Sequence, residues 1–329
     1  MSAKKLRILS IGGGTGLSTL LRGLKGGPAQ LSVIVTVTDD GGSSGRLREE
    51  LGVMPPGDIR NCMIALSEDE NLMSRLFRFR FNSKGDLHDH SFGNLFLTAM
   101  AGVTGDFAEA VRLTSEVLAI KGVIYPSTNS HVSLRAELHD GSWVEGETRI
   151  TASRQPIRRI FLEPAGAEPL PEALEAIAGA DVITLGPGSL YTSLIPNLLV
   201  SRIVDAIRRS AAVKIYIQNI MTQPGETDGL SAADHVEALI RHCSGELLFP
   251  RILLNTAQPS AEMLAKYRAE GAELVVTDRK RLESLGMECV EEDLLAQDHV
   301  IRHDPDRLGK VICALGLNPE GTPWKTYAS

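Results

Sequence analysis

The first 40 residues alternate between apolar runs and polar segments with the spacing of a strand, a helix and a second strand. Residues 5–11 form a short apolar run, and residues 17–24 repeat apolar positions at helical spacing. Residues 31–40 form a β-branched run that ends in two aspartates. Two buried strands joined by a helix are typical of parallel sheets. The pattern therefore predicts a β-α-β unit at the start of the chain.

The centre of the chain departs from this alternation twice. Residues 55–122 are mostly helical in pattern and include an amphipathic segment that ends at Gly122, so we expect a helical insertion there. Residues 131–163 contain stretches with a period of two around Asp140-Gly141, which is a hairpin turn signal. We expect a β-hairpin insertion, inserted into the main sheet or added to its edge.

Strand and helix patterns resume after the helix predicted at residues 169–180. Strand patterns follow at 181–185 and 213–220, and segments at 251–255, 273–278 and 306–316 continue the alternation. Internal repeats and a clear linker are absent from the sequence. The chain is therefore predicted to be a single α/β domain over residues 1–329. Its fold is predicted to be Rossmann-like and doubly wound, with a mostly parallel sheet and helical and β-hairpin insertions.

Charge and cysteine content exclude several classes of protein. The 329 residues carry a net charge of -7 at pH 7 and a pI near 5.7, which argues against a nucleic-acid partner. The four cysteines lack the spacing of a zinc site or of a disulfide framework. The sequence shows neither an apolar signal core nor a run of about 18 apolar residues. We therefore expect a cytoplasmic protein without a membrane span.

A glycine-rich turn, GGGTG, joins the first predicted strand to the first helix. It supplies Gly12, Gly13, Gly14, Thr15 and Gly16. Glycines let backbone N–H groups approach an anion at a helix N-terminus, where the helix dipole favours negative charge. The spacing matches neither the dinucleotide fingerprint, which needs a third glycine elsewhere, nor a P-loop, which needs a lysine. A phosphate site and a tight turn without a ligand both stay open from this turn alone.

A second glycine-rich turn, LGPGSLYTS, follows the predicted strand DVITL. It contains Gly186 and Gly188, and the hydroxyls of Ser189, Thr192 and Ser193 can donate to phosphate oxygens. Ligands of open α/β sheets lie beyond the C-terminal ends of the strands, where the strand order reverses. Two such turns at one edge predict a diphosphate held from both sides. For Ser193 alone, a capping or solvent-facing hydroxyl is the alternative.

Two adjacent carboxylates, Asp39 and Asp40, follow the second predicted strand. Mg²⁺ binds few carboxylates together with substrate oxygens, so the pair is a candidate Mg²⁺ site beside the phosphates. An aspartate here could instead hold ribose hydroxyls, act as a base, or cap the turn. The loop that follows brings Ser43, Ser44 and Arg46 to the same edge as candidate ligand-binding residues.

Further polar side chains are candidates for ligand recognition. Asp58 is either a ligand-binding residue or a helix cap, and Arg60 is either a phosphate clamp or part of a surface ion pair. Tyr267 and Arg302 could pack on a base, with ordinary surface packing as the alternative. Amide side chains at strand ends suit a neutral polar ligand such as a sugar or a base. The candidates that follow predicted strands, with their polar neighbours, are Asn219, Thr222, Gln223, Glu226 and Asn255. Asn61, in PPGDIRN, and His90 and Asn94, in HDHSFGN, are further ligand-binding candidates.

Six sequence blocks in a fixed order resemble the YvcK-like gluconeogenesis-factor family: GGGTGLSTLLRGLK, VTVTDDGGSSGRLR, PPGDIRNC, HSFGNL, LGPGSLYTSLIPNLLV and NIMTQPGETDG. The resemblance extends from about residue 6 to residue 255 and more weakly to the end. The family is related to CofD, the 2-phospho-L-lactate transferase of deazaflavin coenzyme synthesis. The resemblance implies a Rossmann-type cytoplasmic protein that binds a UDP-sugar such as UDP-N-acetylglucosamine. It also implies a link to gluconeogenic growth and cell-wall morphogenesis.

Three functions are consistent with these observations. The first is a regulatory protein that binds a UDP-sugar reversibly and reports to an unknown protein partner, either as a monomer or as a homo-oligomer. The second, implied by the CofD branch, is a Mg²⁺-dependent transferase that uses a nucleotide diphosphate donor, with Asp39 or Asp40 as catalytic residues. The third, an NAD-dependent enzyme, is disfavoured by the glycine spacing. The blocks DDGGSSGR and MTQPGET resemble the YvcK branch, so we favour the first.

Overall fold

A parallel sheet forms the centre of the computed structural model, which describes residues 5–68, 72–296 and 298–317. The strands along these residues are β1 (Arg7–Gly12), β2 (Gln30–Val35), β3 (Val123–Pro126), β4 (Ser133–Leu138), β5 (Trp143–Glu145), β6 (Ile157–Glu163), β7 (Val182–Leu185), β8 (Val213–Ile217), β9 (Arg251–Asn255) and β10 (Glu288–Glu292). Seven of them form one sheet in the order β10-β9-β8-β7-β1-β2-β3, with every neighbouring pair parallel. The predicted Rossmann-like, doubly wound fold is confirmed.

Helices cover both faces of this sheet. They are α1 (Gly14–Leu24), α2 (Gly42–Leu51), α3 (Gly57–Leu66), α4 (Leu72–Arg78), α5 (Phe92–Thr104), α6 (Phe107–Val117), α7 (Glu147–Ser153), α8 (Pro171–Gly179), α9 (Ile195–Leu199), α10 (Ile203–Arg209), α11 (Ala232–His242), α12 (Ala261–Ala269), α13 (Arg279–Ser284) and α14 (Pro305–Leu317), with a π-helical turn at Leu190–Leu194. From β1 at the centre of the sheet, the chain adds β2 and β3 toward one edge. It then returns to the centre at β7 and adds β8, β9 and β10 toward the other edge. Because crossovers between parallel strands are right-handed, this reversal places the two sets of helices on opposite faces.

The strand sequences fit this burial from two sides. All four residues of β7 and five of the six in β1 are buried, so these strands are apolar runs without alternation. Two helices begin at side-chain caps: Ser91 caps α5 by accepting from the backbone N–H of Asn94, and Ser231 and Asp234 form a capping box at α11.

The antiparallel strands form a separate sheet in the order β5-β4-β6. The chain turns at Asp140-Gly141 between β4 and β5, as the sequence predicted, and β6 then pairs along the other side of β4. The expectation that the hairpin joins the main sheet is wrong, because β6 completes a sheet within the insertion. Helix α7 connects β5 to β6 and lies against the main domain through the contacts described below.

The apolar segment at residues 273–278 does not form a strand of the sheet. It makes one isolated bridge, between Leu274 and Met221, and Val276 is 66% exposed. The backbone N–H of Val275 donates to the carbonyl of Ile220, and the carbonyl of Val276 accepts from Ala232. The segment therefore packs on the loop after β8 instead of extending the sheet.

No single helix of the described residues is long and apolar enough to cross a membrane. The helical segments Leu190–Leu199 and Ile203–Arg209 satisfy that test only when taken together, and they are bent by 80°.

Candidate functional site

Both glycine-rich turns lie at the point where the strand order reverses. β1 pairs with β2 on one side and with β7 on the other, so that Ile11 lies opposite both Ile34 and Leu185. The turn after β1 leads into α1, and the turn after β7 leads into the π-helical turn. In open α/β sheets this position forms a crevice between two loops that leave in opposite directions. The reversal therefore creates one crevice bordered by both turns.

The two turns are in direct contact. A Cβ atom on Gly16 would lie 2.5 Å from the carbonyl oxygen of Pro187, and a Cβ atom on Gly188 would lie 3.2 Å from the carbonyl oxygen of Gly13. Gly14, the first residue of α1, has a φ of +67°, a conformation that other residues rarely adopt. Glycine is thus required here both for close packing and for backbone conformation.

The side chain of Asp58, a residue of α3, contacts the N-terminus of α1. Its carboxylate accepts a hydrogen bond from the backbone N–H of Gly14, and a Cβ atom on Gly13 would lie 2.5 Å from Asp58 Oδ2. Burial and the neighbouring charge of Asp39 raise the pKa of Asp58 to about 7, against the opposing effects of Gly14 and Arg60. The N-cap of α3 is Pro56, so Asp58 faces the glycine turn instead of capping its own helix.

Asp39 and Asp40 follow β2 on the other border of the crevice, and both accept hydrogen bonds within the protein. Asp39 Oδ1 accepts from the backbone N–H of Gly41 at 2.9 Å, which is a local turn contact. Asp40 Oδ1 accepts from the backbone N–H and the hydroxyl of Thr148, in α7, at 2.8 and 2.7 Å. The described residues contain no group of three His, Cys, Asp or Glu side chains arranged to hold a metal ion. A Mg²⁺ ion at this pair would therefore depend on ligand oxygens to complete its coordination.

Two glutamates, Glu147 and Glu226, form an acidic wall of the crevice together with Asp39, Asp40 and Asp58. Burial raises the pKa of Glu226 to about 7 although hydroxyl and backbone donors, Thr192 first among them, favour its charged form. Burial and the charges of Asp39, Asp58 and Glu226 raise the pKa of Glu147 well above its usual range. From the sequence, Glu226 is recognisable only as a polar residue that follows a predicted strand. Glu147 was not predicted because it lies in α7, which reaches the site through tertiary packing that no local sequence pattern signals.

A cluster of hydrogen-bonded side chains includes Ser43, which follows the loop that carries Asp39 and Asp40. Ser43 Oγ lies 2.9 Å from Nδ1 of His90 and accepts from the amide of Asn94 at 3.0 Å. Arg60 donates to Asn94 Oδ1 at 3.0 Å and to Asn61 Oδ1 at 2.7 Å. Burial, with the charge of Arg80, lowers the pKa of Arg60 to about 10. The predicted residues of this region are thus brought together, and their polar atoms bond mainly to one another.

The amides after β8 hold the second glycine turn. Asn219 accepts from the backbone N–H of Gly188 at 3.1 Å and donates to its carbonyl at 2.7 Å. Gln223 accepts from the hydroxyl of Ser189 at 2.5 Å and donates to Glu226 at 2.6 Å. These contacts fix the second glycine turn in place.

Three predicted residues lie further along the edge of the sheet. Asn255, the last residue of β9, accepts from the backbone N–H of Leu294 at 3.0 Å and donates to the carbonyl of Ala257 in the loop that follows. The hydroxyl of Tyr267 accepts from the backbone N–H of Ile301 at 3.1 Å, and Arg302 forms an ion pair with Asp298. These contacts agree with ordinary packing, the alternative for Tyr267 and Arg302.

The segment that carries Arg302 nevertheless returns to the C-terminal edge of the sheet. The neighbouring His303 is buried, and burial lowers its pKa to about 4. A hydrogen bond with the backbone of Gln218, just after β8, opposes this effect.

On the other border of the crevice, Arg46 donates to the backbone carbonyl of His88 at 2.5 Å, and Ser44 is buried.

The crevice combines two glycine turns at a helix N-terminus with five acidic side chains. Backbone N–H groups and the dipole of α1 favour an anion at the glycine turns. Asp39, Asp40, Asp58, Glu147 and Glu226 add negative charge around the same place. A bound diphosphate would therefore require that some of these carboxyl groups be protonated or that a cation accompany it. Asp58 and Glu226, with pKa values about 7, are able to take up that proton at neutral pH.

The fold and the crevice together define a Rossmann-like α/β protein with paired glycine turns at the strand switch point. The family model "2-phospho-L-lactate transferase CofD" matches residues 8–295. The gluconeogenesis factor of Bacillus subtilis is 48% identical over 313 residues, which is 95% of this chain and 98% of that protein. The gluconeogenesis factor of Halalkalibacterium halodurans is 48% identical over 310 residues, 94% of this chain and 96% of that protein. The chain belongs to the gluconeogenesis-factor family, whose members carry a CofD-like domain.

A solved structure supports the same assignment. The crystal structure of a member of the upf0052 family from Bacillus halodurans superimposes with a TM-score of 0.92 at 47% sequence identity. The match covers 94% of this chain and 99% of that chain. The similarity therefore extends over nearly the whole fold and is not restricted to the glycine turns.

Proposed function

We propose that this protein binds a nucleoside diphosphate sugar, with a UDP-sugar such as UDP-N-acetylglucosamine as the first candidate, and that it acts as a regulator. The observation that carries the proposal is the contact between the two glycine turns, since it brings two glycine-rich loops together at the switch point, where open α/β sheets bind their ligands. The names of the relatives support a link to gluconeogenic growth. A role in cell-wall morphogenesis and an unknown protein partner in that process belong to the same proposal.

Mg²⁺ fits this site as a partner of the ligand. Asp39 and Asp40 would hold it, as a two-carboxylate set of the kind that Mg²⁺ uses together with phosphate oxygens. When bound, it would neutralise part of the charge of the diphosphate. That neutralisation would favour binding of the diphosphate, because five carboxyl groups face or border the crevice.

Calorimetric titration with UDP-N-acetylglucosamine, with and without Mg²⁺, tests the proposal. The decisive variant is Gly14→Ala, whose Cβ would project toward Ser193 at the anion site. Gly229→Ala is the matched control, because Gly229 has a φ of +68° beside the +67° of Gly14, and a Cβ atom there would have no atom within 4 Å. Both variants carry the same backbone strain. We expect saturable binding that Gly14→Ala weakens at least about tenfold and Gly229→Ala leaves unchanged. Equal affinities in both variants would contradict the site.

A transferase of the CofD type is the second candidate. The match of residues 8–295 to the 2-phospho-L-lactate transferase family favours it, as do the buried carboxyl groups with raised pKa values, which suit a general base. Asp39 and Asp40 are the catalytic residues that the resemblance suggests. Chromatography of the ligand recovered after titration separates the two functions. A regulator returns the nucleotide sugar intact, whereas a transferase given its acceptor releases the free nucleotide.

A further inference from the structure

A groove runs along the free edge of the main sheet, on β3. It has a volume of about 700 Å³ and lies between α6, the edge strand and the start of α8. Ile124 and Pro126 are buried residues, while Val123 is 44% exposed. Burial and, after it, the charges of Glu172 and Glu175, in and beside the first turn of α8, raise the pKa of Tyr125, so this side chain lies on the α8 side. The groove floor is therefore the edge of the strand itself.

The hydrogen-bond pattern leaves backbone groups of β3 facing this groove. Ser127 donates to the carbonyl of Val35, and Tyr125 has the same orientation toward β2 because orientation alternates along a strand. The N–H and C=O groups of Ile124 and the C=O group of Pro126 then point away from β2. No other strand of the described residues pairs with this edge. These free groups can accept one further strand.

The charges around the groove select the kind of strand. Its described lining includes four carboxylates, Asp106, Glu109, Glu116 and Glu172, and one guanidinium, Arg112. Arg112 is already paired with Glu109 and Glu116, at 2.6 and 2.5 Å. Three negative charges remain in excess. A second copy of this chain would bring an equally acidic groove against the first, which disfavours pairing of two β3 edges.

We propose that this groove, formed by α6, β3 and the start of α8, binds an extended peptide segment of a partner protein that carries alternating basic and apolar residues. The segment adds as a strand beside β3, with backbone bonds to Ile124 and Pro126 and basic side chains on the acidic rim. The groove lies at the edge of the sheet, away from the glycine turns at its centre, so the proposal does not depend on the nature of the nucleotide ligand.

An acetylated octapeptide of alternating valine and lysine, labelled for fluorescence anisotropy, is the probe. The variant Glu172→Lys reverses one exposed rim charge in the first turn of α8. Glu262→Lys is the matched control, since Glu262 is an exposed residue in the first turn of α12, and both changes have the same effect on net charge and helix dipole. The same peptide with every backbone nitrogen methylated keeps its charge but cannot donate to the strand.

We expect saturable binding of the unmodified peptide, weakened about tenfold by Glu172→Lys and less than about twofold by Glu262→Lys. The methylated peptide should not bind saturably, and amide hydrogen exchange should slow at Ile124 when the unmodified peptide is bound. Equal weakening by both variants would show non-specific attraction to an acidic protein and overturn the proposal. So would binding of the methylated peptide, or a β3-mediated dimer in sedimentation that Glu172→Lys alters.

Discussion

Asp40 accepts two hydrogen bonds from Thr148, which lies 108 residues further along the chain. The same helix, α7, makes a second contact with the main domain: the hydroxyl of Thr151 donates to Glu226 at 3.4 Å, and a Cβ atom on Gly225 would lie 2.1 Å from the carbonyl oxygen of Thr151. Helix α7 thus joins the loop after β2 to the loop after β8. Helix α7 thereby holds Glu147 in the acidic wall of the crevice.

Replacing Thr148 with valine tests this connection. The variant keeps the shape of the side chain and the backbone bond but removes the hydroxyl that donates to Asp40. We expect the free energy of unfolding to fall by about 1 kcal/mol and amide exchange over residues 147–153 to become faster. Thr256→Val, at an exposed position, should change stability by less than about 0.5 kcal/mol. Unchanged exchange in α7 would mean that the bond does not hold the helix.

Asp58 should make stability fall as the pH rises from about 4 to about 7. Its pKa is raised from the ordinary value of 3.8 to about 7, so the folded state binds more protons than the unfolded state in that range. Asp58→Asn keeps an acceptor for Gly14 and removes the charge. At pH 8 we expect the variant to be more stable than the parent by roughly 2–4 kcal/mol, with the difference largely lost at pH 4. Urea unfolding across this pH range measures it.

The control for this experiment is Asp140→Asn at the turn of the small sheet. The side chain and backbone of Ser142 donate to Asp140 and lower its pKa. Its contribution to stability is therefore present at neutral pH and is lost as the pH falls through the acidic range, opposite in sign to that of Asp58. If Asp58→Asn and Asp140→Asn shifted the pH profile in the same direction, the charge of Asp58 would not be the cause.

Asn219→Ala should weaken ligand binding through the second glycine turn. The change removes both bonds between the amide and the backbone of Gly188. Because the turn then loses its fixed position, we expect the affinity for the nucleotide sugar to fall about tenfold or more, with a loss of about 1–2 kcal/mol in stability. Calorimetry and urea unfolding measure the two effects separately.

Asn255→Ala is the comparison for that variant. Asn255 also lies at the end of a strand of the main sheet and also clamps backbone, but its strand, β9, is one strand further along than β8, which Asn219 follows. It should lose similar stability and keep the affinity of the parent. Equal losses of affinity in both variants would mean that the ligand extends along the edge of the sheet to β9.

Features that depend on neighbouring residues were predictable from the sequence, whereas contacts between distant segments were not. The β1–α1–β2 unit and the two glycine turns were predictable because strand periodicity and glycine turns are local signals. The contact between Asp58 and Gly14 and the approach of Glu147 were not, because they depend on tertiary packing between distant segments. The segment 273–278 has the composition of a strand, but contacts with Ile220 and Ala232 divert it. Sequence composition alone does not encode that competition.

The crossing of α1 and α14 gives a final prediction. A Cβ atom on Gly23 would lie 1.7 Å from the carbonyl oxygen of Pro305, which is backbone and cannot move aside alone. Gly23→Ala should therefore cost about 3 kcal/mol in stability, in spite of the better helix propensity of alanine. Gly26→Ala, with no atom within 4 Å of its Cβ, should be neutral or slightly stabilising. Because α1 carries the first glycine turn, Gly23→Ala should also weaken nucleotide binding, measured by calorimetry at a temperature where the variant stays folded. Normal stability in Gly23→Ala would show that the helices are not in backbone contact.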